Sequence, residues 1–223
     1  MKKQKYIIIF ITVFACICMG LVDAVLMPGY AIKSAIKIAL FLLLPILYSL
    51  YDKTCNLKSL FTLKKGGIAS AIFLGVGVYV VVLGAFLIFR NVFDFSALTG
   101  SLTSSTGVDK NNFIFVALYI SFINSFLEEF FFRGFSFLTL KKAAGNKTAY
   151  IISSLLFALY HIAMMIGWFS LPIVILCMVG LFIGGTIFNR FNDKYGNIYL
   201  SWLIHMFANF ATNTIGFILF SGR

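Results

Sequence analysis

The only two glutamates in the 223-residue chain are adjacent, Glu128 and Glu129, and its only two histidines are His161 and His205. All four sit inside runs apolar enough to lie in lipid. An ionisable side chain near the bilayer centre costs about 2.5 to 3.5 kcal/mol on insertion scales, so each one needs a partner and marks a functional-site candidate. Carboxylates and imidazoles at such depth suit general acid–base chemistry on a water molecule, a proton relay or metal ligation.

Spacing separates the roles. Glu129 and Arg133 are four apart, so on a helix they share a face, with the acid on the N-terminal side, the better orientation for an ion pair. Glu128 points about 100° away. Two adjacent carboxylates do not both ionise cheaply in a low dielectric. Arg133 is therefore expected to hold Glu129 as the anion and to leave Glu128 the easier one to protonate, which is what a general base working near neutral pH requires. The competing reading makes both glutamates helix glue, with Arg133 snorkelling to the cytosol. The same four-residue relation stacks Phe157 with His161, His205 with Asn209, and Asn124 with Glu128. A membrane histidine can also be a plain interhelical hydrogen bonder, and Asn124 a plain helix contact.

The elements that must position these groups are membrane helices. With 61% hydrophobic and only 11% charged residues the chain is far from a soluble domain, and it offers repeated runs of the roughly 20 apolar residues that span a bilayer. The spacing predicts spans over about 7–27, 31–51, 67–89, 112–138, 149–167, 171–188 and 198–219. The expected fold is all-α, a polytopic helical bundle forming a single membrane domain over 1–223. Its catalytic core lies at about 112–219, and spans over about 7–89 are peripheral.

The net charge of +11 reads as topology rather than as nucleic-acid binding, because Lys and Arg cluster beside span ends. With a cytosolic N-terminus, Lys2, Lys3, Lys5, Lys53, Lys58, Lys64, Lys65, Lys141, Lys142, Lys147, Arg190 and Lys194 fall inside, and Lys33, Lys37, Arg90, Lys110 and Arg223 fall outside. Counted at 1.5 Å per residue from the inner span ends, Glu128, His161, His205 and Asn209 lie roughly 15, 18, 10 and 16 Å deep. That common layer implies one cavity opening toward the cytosol of a multi-pass cell-membrane protein.

The remaining features read as structure. The first apolar segment exceeds a signal-peptide core and is expected to stay, and Cys16 is a poor acylation site. Cys16, Cys18, Cys55 and Cys177 are packing residues without zinc or disulfide spacing. Gly180, Gly184 and Gly185 suit close helix packing, and Phe130 to Phe132 suit burial or, less readily, the wall of a greasy pocket. No mirrored pair of broken helices supports a transporter.

Taken in order, Glu128-Glu129-x-x-x-Arg133, Phe157-x-x-x-His161 and His205-x-x-x-Asn209 resemble the CPBP family. These are the CAAX-protease and bacteriocin-processing (Abi) membrane proteins, which include the type II CAAX prenyl endopeptidases. The resemblance covers about residues 121–213. It implies an intramembrane endopeptidase in which Glu128 and His161 orient and activate a water, His205 and Asn209 stabilise the oxyanion, and Glu129 and Arg133 support the site. The substrate would be a peptide or protein, prenylated or membrane-inserted, met within the lipid bilayer and without nucleic acid. Relatives also suggest a bacteriocin-immunity or partner-binding protein as the alternative. The family is often labelled metallopeptidase, but no H-E-x-x-H is present, and the expectation is no cofactor, with zinc on three ligands as the competing reading.

Overall fold

The computed structural model describes residues 2–62, 66–92, 99–100, 103–104, 107–166 and 169–221. Lys64, Lys65 and Arg223, counted above for topology, and part of the polar stretch between 91 and 112 lie outside the described residues. Among the described residues, seven helices are long and apolar enough to cross a membrane: α1 (Lys3–Leu26), α2 (Tyr30–Tyr51), α3 (Ile68–Phe89), α4 (Phe113–Ala144), α5 (Asn146–Met165), α6 (Leu171–Tyr195) and α7 (Tyr199–Phe220). Among the described residues there is no β-strand. Helices are the required solution, because in lipid every backbone N–H and C=O must find its partner within the segment.

Two spans run longer than their apolarity predicts. α4 continues to Ala144 and α6 to Tyr195, past the points where Lys141, Lys142, Arg190 and Lys194 interrupt the apolar run. The charged turns remain helical because they lie at one shared end of the bundle, where Lys141 pairs with Asp193. At that end Gln4 of α1 donates to Asp52 and Thr54 after α2 (3.0 and 2.6 Å), and Leu60 O accepts from Ile198 N before α7 (3.3 Å). Asp52 is held below the usual carboxylate range, chiefly by the Thr54 hydroxyl and also by Tyr48 and Gln4.

α4 is the most buried span and α3 the least. Around α4 pack α1, α2, α5, α6 and α7, while α3 leans on α7. The core is largely phenylalanine: Phe131 stacks on Phe41 at 4.2 Å between ring centroids, Phe132 meets Phe157 edge-on at 5.3 Å, and Phe130 stacks on Phe61 at 6.0 Å. Phe130, Phe131 and Phe132 are thus packing residues, fully covered by neighbours. Of the three α6 glycines, Gly185 packs helix on helix, since a Cβ there would meet Ser154 Cα at 3.2 Å. At Gly180 and Gly184 a Cβ would meet nothing within 4 Å.

Three helices are locally wound in the wider π form, with bonds from residue i to i+5. These are Ala39–Leu43 in α2, and Tyr119–Asn124 and Glu129–Thr139 in α4, with a further turn, Val22–Leu26, ending α1. In α2 the cause is legible. Pro45 has no N–H to give to the carbonyl of Phe41, and the π turn lies just before it. In α4 the π segment begins at Glu129 and is buried almost throughout. Such segments are rare and concentrate at functional sites.

Candidate active site

The carboxylates come from α4, His161 from α5 and His205 from α7. α4 and α5 are joined through Gly145 alone, at φ 83°, a left-handed value that glycine adopts without steric penalty. This tight link returns the chain antiparallel and brings His161 back to the level of Glu128. Gly134 allows the approach of the loop beneath: a Cβ there would lie 2.6 Å from Leu60 Cδ1.

Within the cluster Glu128 Oε2 lies 3.8 Å from His161 Nε2 and 3.7 Å from His205 Nε2. Both separations exceed a direct hydrogen bond and suit groups that share a small ligand such as water. The other nitrogen of each ring is engaged. His161 Nδ1 lies 2.7 Å from Phe157 O, and since a carbonyl only accepts, that nitrogen carries the proton. His205 Nδ1 lies 2.9 Å from Glu129 Oε1, which assigns its proton in the same way. Each ring therefore turns its Nε2 toward Glu128 Oε2.

Glu129 Oε1 also lies 3.2 Å from Arg133 Nη1, the ion pair expected from the spacing. Arg133 does not snorkel. It is fully buried, with its guanidinium carbon 3.8 Å from the centroid of the Phe157 ring and 4.8 Å from that of Phe188. A desolvated contact of this kind contributes about 2 kcal/mol. Phe157 therefore serves twice, as the carbonyl that orients His161 and as the ring that covers Arg133.

Lys37 corrects the sequence reading on two points. It is not an outer-loop charge but a 4%-exposed residue of α2, with Nζ 2.6 Å from Glu128 Oε1 and 2.5 Å from Asn124 Oδ1. Glu128 is accordingly not the unpaired carboxylate of the couple: Lys37 faces it as Arg133 faces Glu129. Asn124 completes the group by donating Nδ2 to the same Oε1 at 3.0 Å. The signal for Lys37 was present in its position inside an apolar span, the criterion that singled out the glutamates. Lys33 is likewise an in-span residue, paired with buried Asp23 of α1. Tyr160, which no spacing argument singled out, places its ring 5.0 Å from Lys37 Nζ.

Asn209 stands apart from this contact network. Its Nδ2 donates to Ile120 O at 3.0 Å, and one turn on Asn213 Nδ2 donates to Ala117 O and Ser121 Oγ, so the two asparagines stitch α7 to α4. One proton of the Asn209 amide is thereby engaged and the second remains for another acceptor.

Residues 110–211 match the family model described as type II CAAX prenyl endopeptidase, Rce1-like. This core is similar to that family. The matched segment runs from just before α4 into α7 and holds Glu128, Glu129, Arg133, Phe157, His161, His205 and Asn209. The Rce1-like core is thus a protease-family domain in a multi-pass membrane protein, while α1 to α3, with Lys37, lie outside the match. No curated protein and no solved structure matches the chain.

The donors of the Rce1-like core do not fit a metal. Tetrahedral zinc with bonds of about 2.0–2.1 Å brings its ligands to about 3.3 Å from one another, closer than the Glu128–imidazole separations, and the Lys37 ammonium already sits on the carboxylate. Among the described residues no group of three His, Cys, Asp or Glu side chains is arranged to hold one.

Proposed function

We propose that the protein is an intramembrane endopeptidase that hydrolyses a peptide bond with a water activated by Glu128 and His161. The observation that carries this reading is the convergence of Glu128 Oε2 with two Nε2 atoms, from three different helices, at 3.7 and 3.8 Å. A water set among them would give one proton to Glu128 and direct the other to His161 Nε2. Its oxygen would then face an incoming carbonyl carbon. As the C–O bond forms, the water proton moves to Glu128. As the C–N bond breaks, that proton reaches the leaving amine.

The oxyanion requires donors, and two are at hand. One is the second amide proton of Asn209. The other is His205, which donates Nε2–H to the oxyanion in the ring protonated on both nitrogens. Glu129 at Nδ1 balances that charge, and Arg133 holds Glu129 in place. The proton taken up at Glu128 is thereby left for the leaving amine. The substrate class that fits a Rce1-like core is a peptide or protein processed near a CAAX-type C-terminus, reached from the cytosolic face of the cell membrane.

Comparative peptidomics of membranes carrying wild type or Glu128→Gln tests this directly. A specific product present with wild type and lost in an equally abundant variant is expected. Cleavage by purified Glu128→Gln at the wild-type rate would sink the reading.

A further inference from the structure

We propose that Lys37 is a positioning residue for the hydrolytic reaction: together with Asn124 it fixes one oxygen of Glu128, so that the other alone meets the water. The inference rests on the hydrolytic reading of Glu128 but adds a helix, α2, that lies outside the family match.

A buried ammonium is costly unless paired and hydrogen-bonded. Lys37 is only 4% exposed, and its Nζ has two oxygen partners, Glu128 Oε1 at 2.6 Å and Asn124 Oδ1 at 2.5 Å. Since a lysine only donates, the contact fixes which way the Asn124 amide faces, and its Nδ2 is thereby turned to the same Oε1 at 3.0 Å. Glu128 Oε1 therefore receives two donors, one of them charged, while Oε2 faces the two imidazoles. The carboxylate is no longer free to rotate about its terminal bond. Around the ammonium stand the rings of Phe41 and Tyr160, 5.4 and 5.0 Å from Nζ to their centroids, which exclude water from the pair.

The arrangement also balances charge. Lys37 offsets Glu128 as Arg133 offsets Glu129, so each buried carboxylate has its own cation. A plain structural ion pair would hold α2 to α4 without setting which oxygen faces the imidazoles.

The test uses the full-length protein in nanodiscs with a fluorogenic farnesylated CAAX-type peptide, comparing Lys37→Met, Lys37→Arg, Asn124→Leu and Glu128→Gln. Expected is a drop in kcat of about 100-fold for Lys37→Met with KM within about twofold, and recovery to within about tenfold of wild type in Lys37→Arg. Asn124→Leu should lose about tenfold in kcat, and it carries the test should Lys37→Met fail to accumulate. Infrared spectra taken as the difference from Glu128→Gln give a readout independent of turnover. The Glu128 carboxylate bands of wild type should persist in Lys37→Arg and give way to a protonated carboxyl band in Lys37→Met.

Wild-type kcat and unchanged carboxylate bands in Lys37→Met would overturn the proposal, as would equal losses in Lys37→Met and Lys37→Arg or a loss confined to KM. If the wild type does not cleave the peptide, the infrared arm decides alone. Full activity in Glu128→Gln would instead remove the hydrolytic reading itself, so the two failures are distinguishable.

Discussion

Each imidazole of the cluster presents the same nitrogen to Glu128 because its other nitrogen is already bonded, His161 to the Phe157 carbonyl and His205 to Glu129. Such orienting bonds make the tautomer a property of the fold. His205→Ala or Asn209→Ala should each lower kcat by about 100- to 1,000-fold, the usual loss for one oxyanion donor. If Asn209 served only to bond Ile120, its variant would instead lose thermal stability with kcat per folded molecule unchanged. Arg133→Met leaves Glu129 uncompensated in a dry interior, and the expected destabilisation is about 3–5 kcal/mol, read as a large fall in the unfolding temperature in detergent. The Glu129–Arg133 pair was legible from a spacing of four. Lys37 was legible as a charge inside a span, but its pairing was not. Its partners, Glu128 and Asn124, are about 90 residues away, a separation no helical periodicity reports.

At the scale of elements, the seven spans were readable because lipid demands long apolar helices and short polar breaks announce their ends. The π winding of α4 was not, since Glu129–Thr139 is buried on nearly every side and no lipid- or water-facing stripe marks a change of period. Helix contacts through glycine were also only partly visible, and α3 shows why. A Cβ at Gly75 would fall 2.5 Å from Phe207 Cδ2 of α7, whereas one at Gly77 would meet nothing within 4 Å. Gly77→Ala should be neutral or stabilising by up to about 1 kcal/mol, the difference in helix propensity. Gly75→Ala should be destabilising by about 1–3 kcal/mol as the overpacked ring is forced aside. Paired thermal melts of the two variants check this, and equal melting temperatures would show that α3 does not rest on Phe207.

For the whole molecule, Lys3, Lys5, Lys53, Lys58, Lys141, Lys142, Lys147, Arg190 and Lys194 gather at the end of the bundle joined by the Gln4–Asp52, Leu60–Ile198 and Lys141–Asp193 contacts. Arg90 and Lys110 lie at the other. On the positive-inside rule we propose that the basic end faces the cytosol. In a cysteine-free background, Asn111→Cys should react with an impermeant maleimide on intact cells and Lys58→Cys only after lysis; the reverse pattern would invert the topology. Among the described residues, the charges within the spans include three matched pairs: Asp23 with Lys33, Glu128 with Lys37, and Glu129 with Arg133. A voltage across the bilayer acts on net charge, at about 2.3 kcal/mol per elementary charge per 100 mV. The paired charges of this layer therefore feel little of it, and turnover in sealed vesicles should run at the same speed whether the membrane is energised or not.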